Sequence, residues 1–375
     1  MRYALPRTLR RPEVHTPLLS WIVARAAVGA ALVVAVVVSD ELVPGARPVQ
    51  VDQGLLAWDG TWYENIAENG YGDEVPREGL RFFPLVPLLA RALDVVAPGG
   101  AGVAVVLVAN ASALALAFLV HRLARLETGD GALADRATWL VAMLPPAYVL
   151  VMGYAEATLM ALSVAAFLAL RRRRWWWAAV FGVLAGLTRP VGLALAVPAA
   201  IEGARGLRTA AGGDRVARLA AVLGPLAGTG AYLAWVQARF GDGLLPLRLH
   251  SQEDLRGDVV DPLTRLARAA GDLFGGDPLG AGLHFPWIVG AIALVVVTAR
   301  VLPSSYAAYA TAVVVVALAG ESLGSFERYA LSAFPLVLAL AAVTRPVPVE
   351  RTALALSGAG LMGFAALAFL GAYVP

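Results

Sequence analysis

The chain has 375 residues, 59% hydrophobic and only 15% charged, with a mean hydropathy of +0.70 and a formal net charge of +3. Soluble domains carry about a quarter charged residues, so this composition excludes a water-soluble fold, and the small net charge excludes a nucleic-acid-binding role. There is no cysteine, which excludes disulfides, thiolate catalysis and Cys-ligated zinc; all 30 basic residues are arginine, which excludes a lysine Schiff base and points to a GC-rich coding bias.

The N-terminus carries Arg2, Arg7, Arg10 and Arg11 before an apolar stretch from Leu18 to Val38. That stretch is too long for a signal-peptide core, and Ser39-Asp40-Glu41 is a poor cleavage site, so it reads as an uncleaved first span. Further apolar runs follow at 101–120, 137–153, 155–170, 175–188, 190–203, 219–237, 286–302, 305–320, 329–343 and 353–373. Several approach the ~20 residues that cross a hydrocarbon core. A span must satisfy its own backbone hydrogen bonds, as a helix does, and none of the runs alternates as a β-barrel strand would. The expected fold is an all-α polytopic membrane protein, one integral domain over 1–375 with about eleven transmembrane helices. The pair 175–188 and 190–203 is short, since 14 residues rise only ~21 Å; two short spans meeting near Arg189 fit better than one broken span.

Arginine-rich short loops stay in the cytoplasm. With the N-terminus inside, Arg122, Arg125, Arg136, Arg171 to Arg174, Arg205, Arg208, Arg215, Arg218, Arg300, Arg345 and Arg351 all fall on the inner side. Two long segments, 39–100 and 238–285, then lie outside. In the first, Trp58, Trp62 and Ile66 recur every four residues, predicting an amphipathic helix anchored on the membrane by tryptophan. The stretch from Phe82-Phe83-Pro84 to Val96 predicts a second interfacial or re-entrant element. The segment 238–285, with Asp254, Asp258, Asp261, Arg265 and Arg268, predicts one short helix around 262–274.

This topology gathers Asp40, Glu41, Asp59, Glu64, Arg81, Tyr154, Glu156, Arg189, His250, Glu321, Glu327 and Arg328 at the outer face. Acids and arginines together suit a phospho-lipid substrate: arginine grips phosphate with a fork of donors, and a carboxylate accepts the proton of an attacking hydroxyl. Asp59 is the candidate general base; a helix N-cap is the alternative. Asp40-Glu41 is a rival acidic pair, or solvated residues at a helix end. Glu156 sits at a tight outer turn. Arg189 interrupts an apolar stretch and calls for a partner, or else snorkels to headgroups; Arg328 is a second candidate phosphate ligand, or an interface anchor. Arg25, inside the first span, packs against another helix or snorkels. Trp175 to Trp177 read as an aromatic belt. No DxD or HExxH spacing occurs and the histidines are scattered, though Asp40, Glu41, Asp59 and Glu156 could share a divalent metal.

Trp58-Asp59-Gly60-Thr61-Trp62-Tyr63, followed by Ile66-Ala67-Glu68-Asn69-Gly70-Tyr71, resembles the WDxxWYxxIAxxGY signature of PIG-V-type mannosyltransferases. Arg81-Phe82-Phe83-Pro84-Leu85-Val86-Pro87-Leu88-Leu89 is similar to that family's FFPLYPLL stretch. Leu187-Thr188-Arg189-Pro190-Val191-Gly192 and Arg328-Tyr329 before Phe334-Pro335 resemble its LTRxxG and RY…FP elements. The resemblance implies a GT-C fold and transfer of a sugar, usually mannose, from a polyprenyl-phosphate donor to a glycan or glycolipid acceptor outside the membrane. It implies a catalytic acid at Asp59 and phosphate-binding arginine at Arg189 and Arg328. Trp62, Tyr63, Arg81, Glu156 and Tyr329 complete the expected substrate-binding set. The rival reading is a lipid-linked sugar flippase, which requires polar residues deep in several spans.

Overall fold

Proline and glycine punctuate an otherwise continuous helical pattern. The computed structural model describes residues 12–42, 45–72, 74–251, 256–277 and 280–373; Arg2, Arg7, Arg10, Arg11 and Asp254 lie outside them. The chain is all-α: the described residues hold no strand, only an isolated antiparallel bridge between Val259 and Gly320. Most of the apolar runs fall on helix: α1 (Pro12–Val37), α5 (Gly100–Thr128), α6 (Gly131–Met143), α7 (Glu156–Arg171), α8 (Trp175–Gly186), α9 (Ala196–Ala204), α10 (Gly212–Phe240), α13 (Phe285–Val301), α14 (Ser304–Leu318), α16 (Pro335–Val343) and α17 (Val347–Phe369). The run 137–153, expected as one span, leaves α-helix after Met143, and the run 329–343 is broken between Leu331 and Pro335. Among the described residues, five helical stretches are long and apolar enough to cross a membrane: Glu13–Glu41, Gly100–Thr128, Gly212–Phe240, Ala281–Val301 and Val347–Phe369. Between these elements lie α2 (Val49–Gln53), α3 (Asp59–Asn69), α4 (Leu85–Asp94), α11 (Leu245–His250), α12 (Pro262–Gly271) and α15 (Phe326–Leu331).

The shorter helices end where sequence chemistry ends them. Pro145-Pro146 stops α6 and turns the chain into a 3-10 stretch, Pro145–Leu150. That break strands carbonyls in the interior, and the first helix answers them. Arg25 donates to Leu150 O at 2.9 Å and to Asn110 Oδ1 at 2.8 Å, while Asn110 Nδ2 reaches Val151 O at 2.9 Å. The arginine inside the first span therefore packs against neighbouring elements, and freed backbone groups at this depth are satisfied as an apolar solvent requires.

The region around Arg189 is two passes with a reversal. Gly182 meets Pro225, Gly186 meets Thr229, Gly224 meets Ala179 and Gly228 meets Val183, so α8 runs parallel to α10. Ala199 packs beside Ala217 and Ala221, and Gly203 lies against Arg218, so α9 runs back along the same helix. Both α8 and α10 carry a Gly-x-x-x-Gly pair, and a Cβ at Gly228 would stand 2.0 Å from the Val183 carbonyl oxygen. This small-residue contact brings the backbones together and sets the chain reversal at 187–190 close to α10.

The tryptophan stripe of α3 packs largely against protein. Tyr63, Ile66 and Ala67 are buried beside Ala101, Ala104 and Val105 of α5 and Val86 and Ala90 of α4. Trp58 donates its indole N–H to Ala368 O at 2.9 Å, and Trp62 stacks on Phe82 with centroids 5.5 Å apart. A four-residue period reports a buried face without saying what buries it, and here α4 and α5 do. The stretch after Phe82-Phe83-Pro84 forms α4, whose Leu88 and Leu89 stay exposed. The short helix expected around 262–274 is α12, capped by Asp261, which accepts from Thr264 N at 2.8 Å.

Candidate active site

The turns at one end of the bundle converge on a single cavity of about 220 Å³, walled by Asp59 and Tyr63 of α3, Arg81 to Phe83, Arg189, His250, Arg256, and Ser322, Gly324, Ser325, Arg328 and Tyr329. Two helices reach it through strained entries. Trp58 (φ 64°) immediately precedes Asp59, and Ser325 (φ 68°) precedes α15, which bears Arg328. Left-handed backbone is costly for non-glycine residues and persists where surrounding structure fixes it.

Asp59 is the first residue of α3, not its N-cap; Trp58 holds that position and makes no side-chain cap. The carboxylate instead turns outward to the cavity, its Oδ2 accepting from Arg328 Nη1 at 2.7 Å across 269 residues of sequence. It keeps 22% of its side-chain surface, where the cavity opens. Burial pushes its carboxyl up, but Arg328 and Arg189, with Arg81 behind them, outweigh burial and hold it below the usual carboxylate range. It is therefore an ionised carboxylate at neutral pH.

Glu156 begins α7 and is 1% exposed. It forms an ion pair with Arg189 Nη1, and its Oε1 lies 3.3 Å from Arg328 Nε. It does not line the cavity; it stands behind it, paired with two arginines that do. Trp62 is placed in a similar way. It lies outside the lining, under the Arg81 guanidinium at 5.3 Å from its ring centroid, and orients that arginine. Tyr63, Arg81, Arg189, Arg328 and Tyr329 do line the cavity.

Three guanidinium groups surround one ring: Arg189, Arg256 and Arg328 lie 5.2, 4.8 and 5.2 Å from the Tyr329 centroid. Tyr154 supports Arg328 at 5.4 Å. Of the four cavity arginines, Arg189 and Arg328 are committed to carboxylates. Arg81 and Arg256 have no acidic partner among the described residues. Arg256 is tied by Nη2 to Val316 O at 2.9 Å and Ala317 O at 3.0 Å, capping the end of α14. Four positive charges against Asp59 and Glu156 leave the site cationic, and so suited to an anion.

Sequence reasoning missed Arg256 and Ser322. Arg256 sits in a segment without a motif and is carried to the site by pairing with 319–322: Ser322 N donates to Arg256 O at 3.0 Å and Val260 N to Ala319 O at 3.0 Å. The remaining outer acids lie elsewhere. Asp40 pairs with Arg47, Glu64 lies over Gly102, Glu321 reaches Asp258 N, and Glu327 bonds His284 and Tyr373. Asp40, Glu41, Asp59 and Glu156 thus do not form one shared metal cluster: among the described residues no group of three or more metal-binding side chains gathers.

His250 belongs to the cavity wall, with Nδ1 buried and without a hydrogen-bond partner among the described residues. Burial, then Arg189, Arg81 and Arg256, push its imidazole down to about 3, so it is neutral at physiological pH. Between the ordinary value of about 6.5 and about 3 the unfolded chain binds a proton that the folded chain refuses. Stability therefore falls as pH falls through that window, by up to ~1.4 kcal/mol per pH unit. Asp59, whose folded value is depressed, adds its own loss only below the ordinary carboxylate value. His250→Gln is expected to flatten the difference in Tm between pH 7 and pH 5; an unchanged difference would remove His250 as its source.

The fold and this site define an all-α polytopic membrane protein with a cationic, carboxylate-bearing cavity at one end of its bundle. No protein-family description and no curated protein matches the chain in sequence. It is similar to solved structures of an Archaeoglobus fulgidus oligosaccharyltransferase. The form tethered to an acceptor peptide containing the NVT sequon gives a TM-score of 0.45 at 14% identity, over 94% of this chain and 56% of that one. The complex with zinc and sulfate gives 0.44 at 15%, over 93% and 53%, and the apo form 0.43 at 15%, over 94% and 56%. The chain thus spans just over half the length of that enzyme.

Proposed function

We propose that the chain is a GT-C-type glycosyltransferase that moves a single sugar, mannose by its motif resemblance, from a polyprenyl-phosphate donor to a glycan or glycolipid hydroxyl. The extracytoplasmic placement of the site follows from the arginine bias of the opposite loops. The observation that carries the reading is the cavity in which one ionised carboxylate faces two arginines that no carboxylate neutralises.

Asp59 accepts the proton of the acceptor hydroxyl as its oxygen attacks the anomeric carbon. The bond from that carbon to the phosphate oxygen breaks, and the lipid phosphate leaves with the bonding pair. Asp59 is the one carboxylate lining the cavity among the described residues, which fits a single displacement with inversion. The donor phosphodiester carries about one negative charge and the departing monoester approaches two. Arg81, Arg256 and the free N–H groups of Arg189 therefore bind the transition state more tightly than the bound donor, which lowers the barrier. The same phosphate places negative charge beside Asp59 and raises its carboxyl from its depressed position, making it a better proton acceptor when the donor is bound.

The deciding assay supplies purified protein with polyprenyl-phosphate mannose and membrane glycolipids, and follows free polyprenyl phosphate. A transferase releases it in step with sugar transfer. A flippase moves the lipid and releases none, and that outcome would replace this reading.

A further inference from the structure

The other end of the bundle carries a second cationic cavity that the transfer reaction does not use. It lies at the start of α1 and the ends of α5 and α7. Asp59 and Glu156 sit near the opposite ends of the same helices, because α5 begins beside Glu64 and α7 begins at Glu156. The cavity measures about 560 Å³ and presents Arg122, Arg125 and Arg172 beside the apolar side chains of Phe118, Leu119 and Leu126. Its one acid, Glu13, stands 3.6 Å from Arg125, and both are half exposed.

Arg122 and Arg172 have no acidic partner among the described residues. They also stand close enough to oppose each other: partial burial, then Arg122 and Arg174, hold the Arg172 guanidinium below its ordinary value. The three guanidinium groups are exposed and screened by water on their own, but an anion seated among them is attracted by all three at once. A soluble anion has no use for the phenylalanine and leucines. A phospholipid uses both, its phosphodiester on the guanidinium fork and its acyl chain along the apolar side of α5. Basic pockets between membrane helices on the cytoplasmic side suit such headgroups.

We propose that Arg122, Arg125 and Arg172 form a binding site for an anionic glycerophospholipid at the end of the bundle opposite the transfer site. The lipid neutralises the cluster and clamps α1, α5 and α7 together at that end. The site is independent of the transferase reading and survives its failure.

The test is native mass spectrometry of the full chain titrated with phosphatidylglycerol, cardiolipin and phosphatidylcholine. Wild type is expected to retain the two anionic lipids about tenfold more than phosphatidylcholine. Arg122→Gln/Arg172→Gln is expected to lose that preference, with sugar transfer unchanged. Arg208→Gln/Arg215→Gln, which removes two arginines elsewhere at this end, is expected to keep it. Equal loss in both pairs would mean general surface charge and would overturn the site. Displacement of the lipid by glycerol phosphate at equal affinity would overturn its assignment to a lipid. Should the first variant fail to fold, Glu13→Gln decides: it is expected to bind phosphatidylglycerol more tightly, and weaker or unchanged binding counts against the proposal.

Discussion

Asp59→Asn is expected to lower sugar transfer about 10²- to 10⁴-fold, the range over which a positioned general base acts, while donor binding holds or tightens. The two effects separate because the carboxylate has two consequences. In the proposed reaction it accepts a proton during transfer, and at rest it neutralises part of a cationic cavity. Asparagine keeps an oxygen for Arg328 Nη1, which now lies 2.7 Å from Asp59 Oδ2, and Arg328 keeps Glu156 at 3.3 Å. The arrangement should hold while the cavity gains one unit of positive charge, which favours an anionic phosphate. Initial rates with polyprenyl-phosphate mannose and equilibrium binding of the same donor check both arms. A variant that transfers at the wild-type rate removes Asp59 as base. One that loses donor binding in proportion to rate makes it a substrate ligand instead.

How much of this could be read from the chain depends on the range of the interaction. Helices follow local hydrophobicity and local breakers, so most apolar runs and the break before Pro190 appear in sequence as they do in space, but the run 137–153, read as one span, leaves the α-helix at Pro145. Asp59 and Arg189 were visible because a charge in an apolar or tryptophan-rich setting needs a reason. What each charge touches was not visible. The contact of Arg328 with Asp59 spans 269 positions, and nothing near either residue encodes the other. Trp62 carried a correct period with the wrong neighbour, because periodicity does not distinguish lipid from protein. Arg256 had no local signal, since its place depends on pairing between 256–260 and 319–322.

The arginines that line the cavity should separate into two kinds when each is replaced by glutamine. Arg256 makes no ion pair among the described residues and is held by two helix-end carbonyls. Its two bonds to helix-end carbonyls are charge-assisted, but they lie at a half-exposed edge where water screens them and glutamine keeps a donor for them, while a bond to phosphate pairs two full charges, ~1.5–3 kcal/mol. Arg256→Gln is therefore expected to raise the donor KM about ten- to a hundredfold with a modest drop in Tm. Arg189 is different. It is 8% exposed and paired with Glu156, which is 1% exposed, so Arg189→Gln leaves a buried carboxylate half-compensated. Removing one partner of a buried pair costs about 3–5 kcal/mol, and Tm should fall far more than for Arg256→Gln. Arg189→Gln/Glu156→Gln strands no charge and should recover most of that Tm without recovering donor KM, because the N–H groups aimed at the phosphate are still missing. Thermal melts and donor titrations on the three variants decide the matter. If the double variant regains the wild-type KM, Arg189 serves only to satisfy Glu156, and the phosphate rests on Arg81 and Arg256 alone.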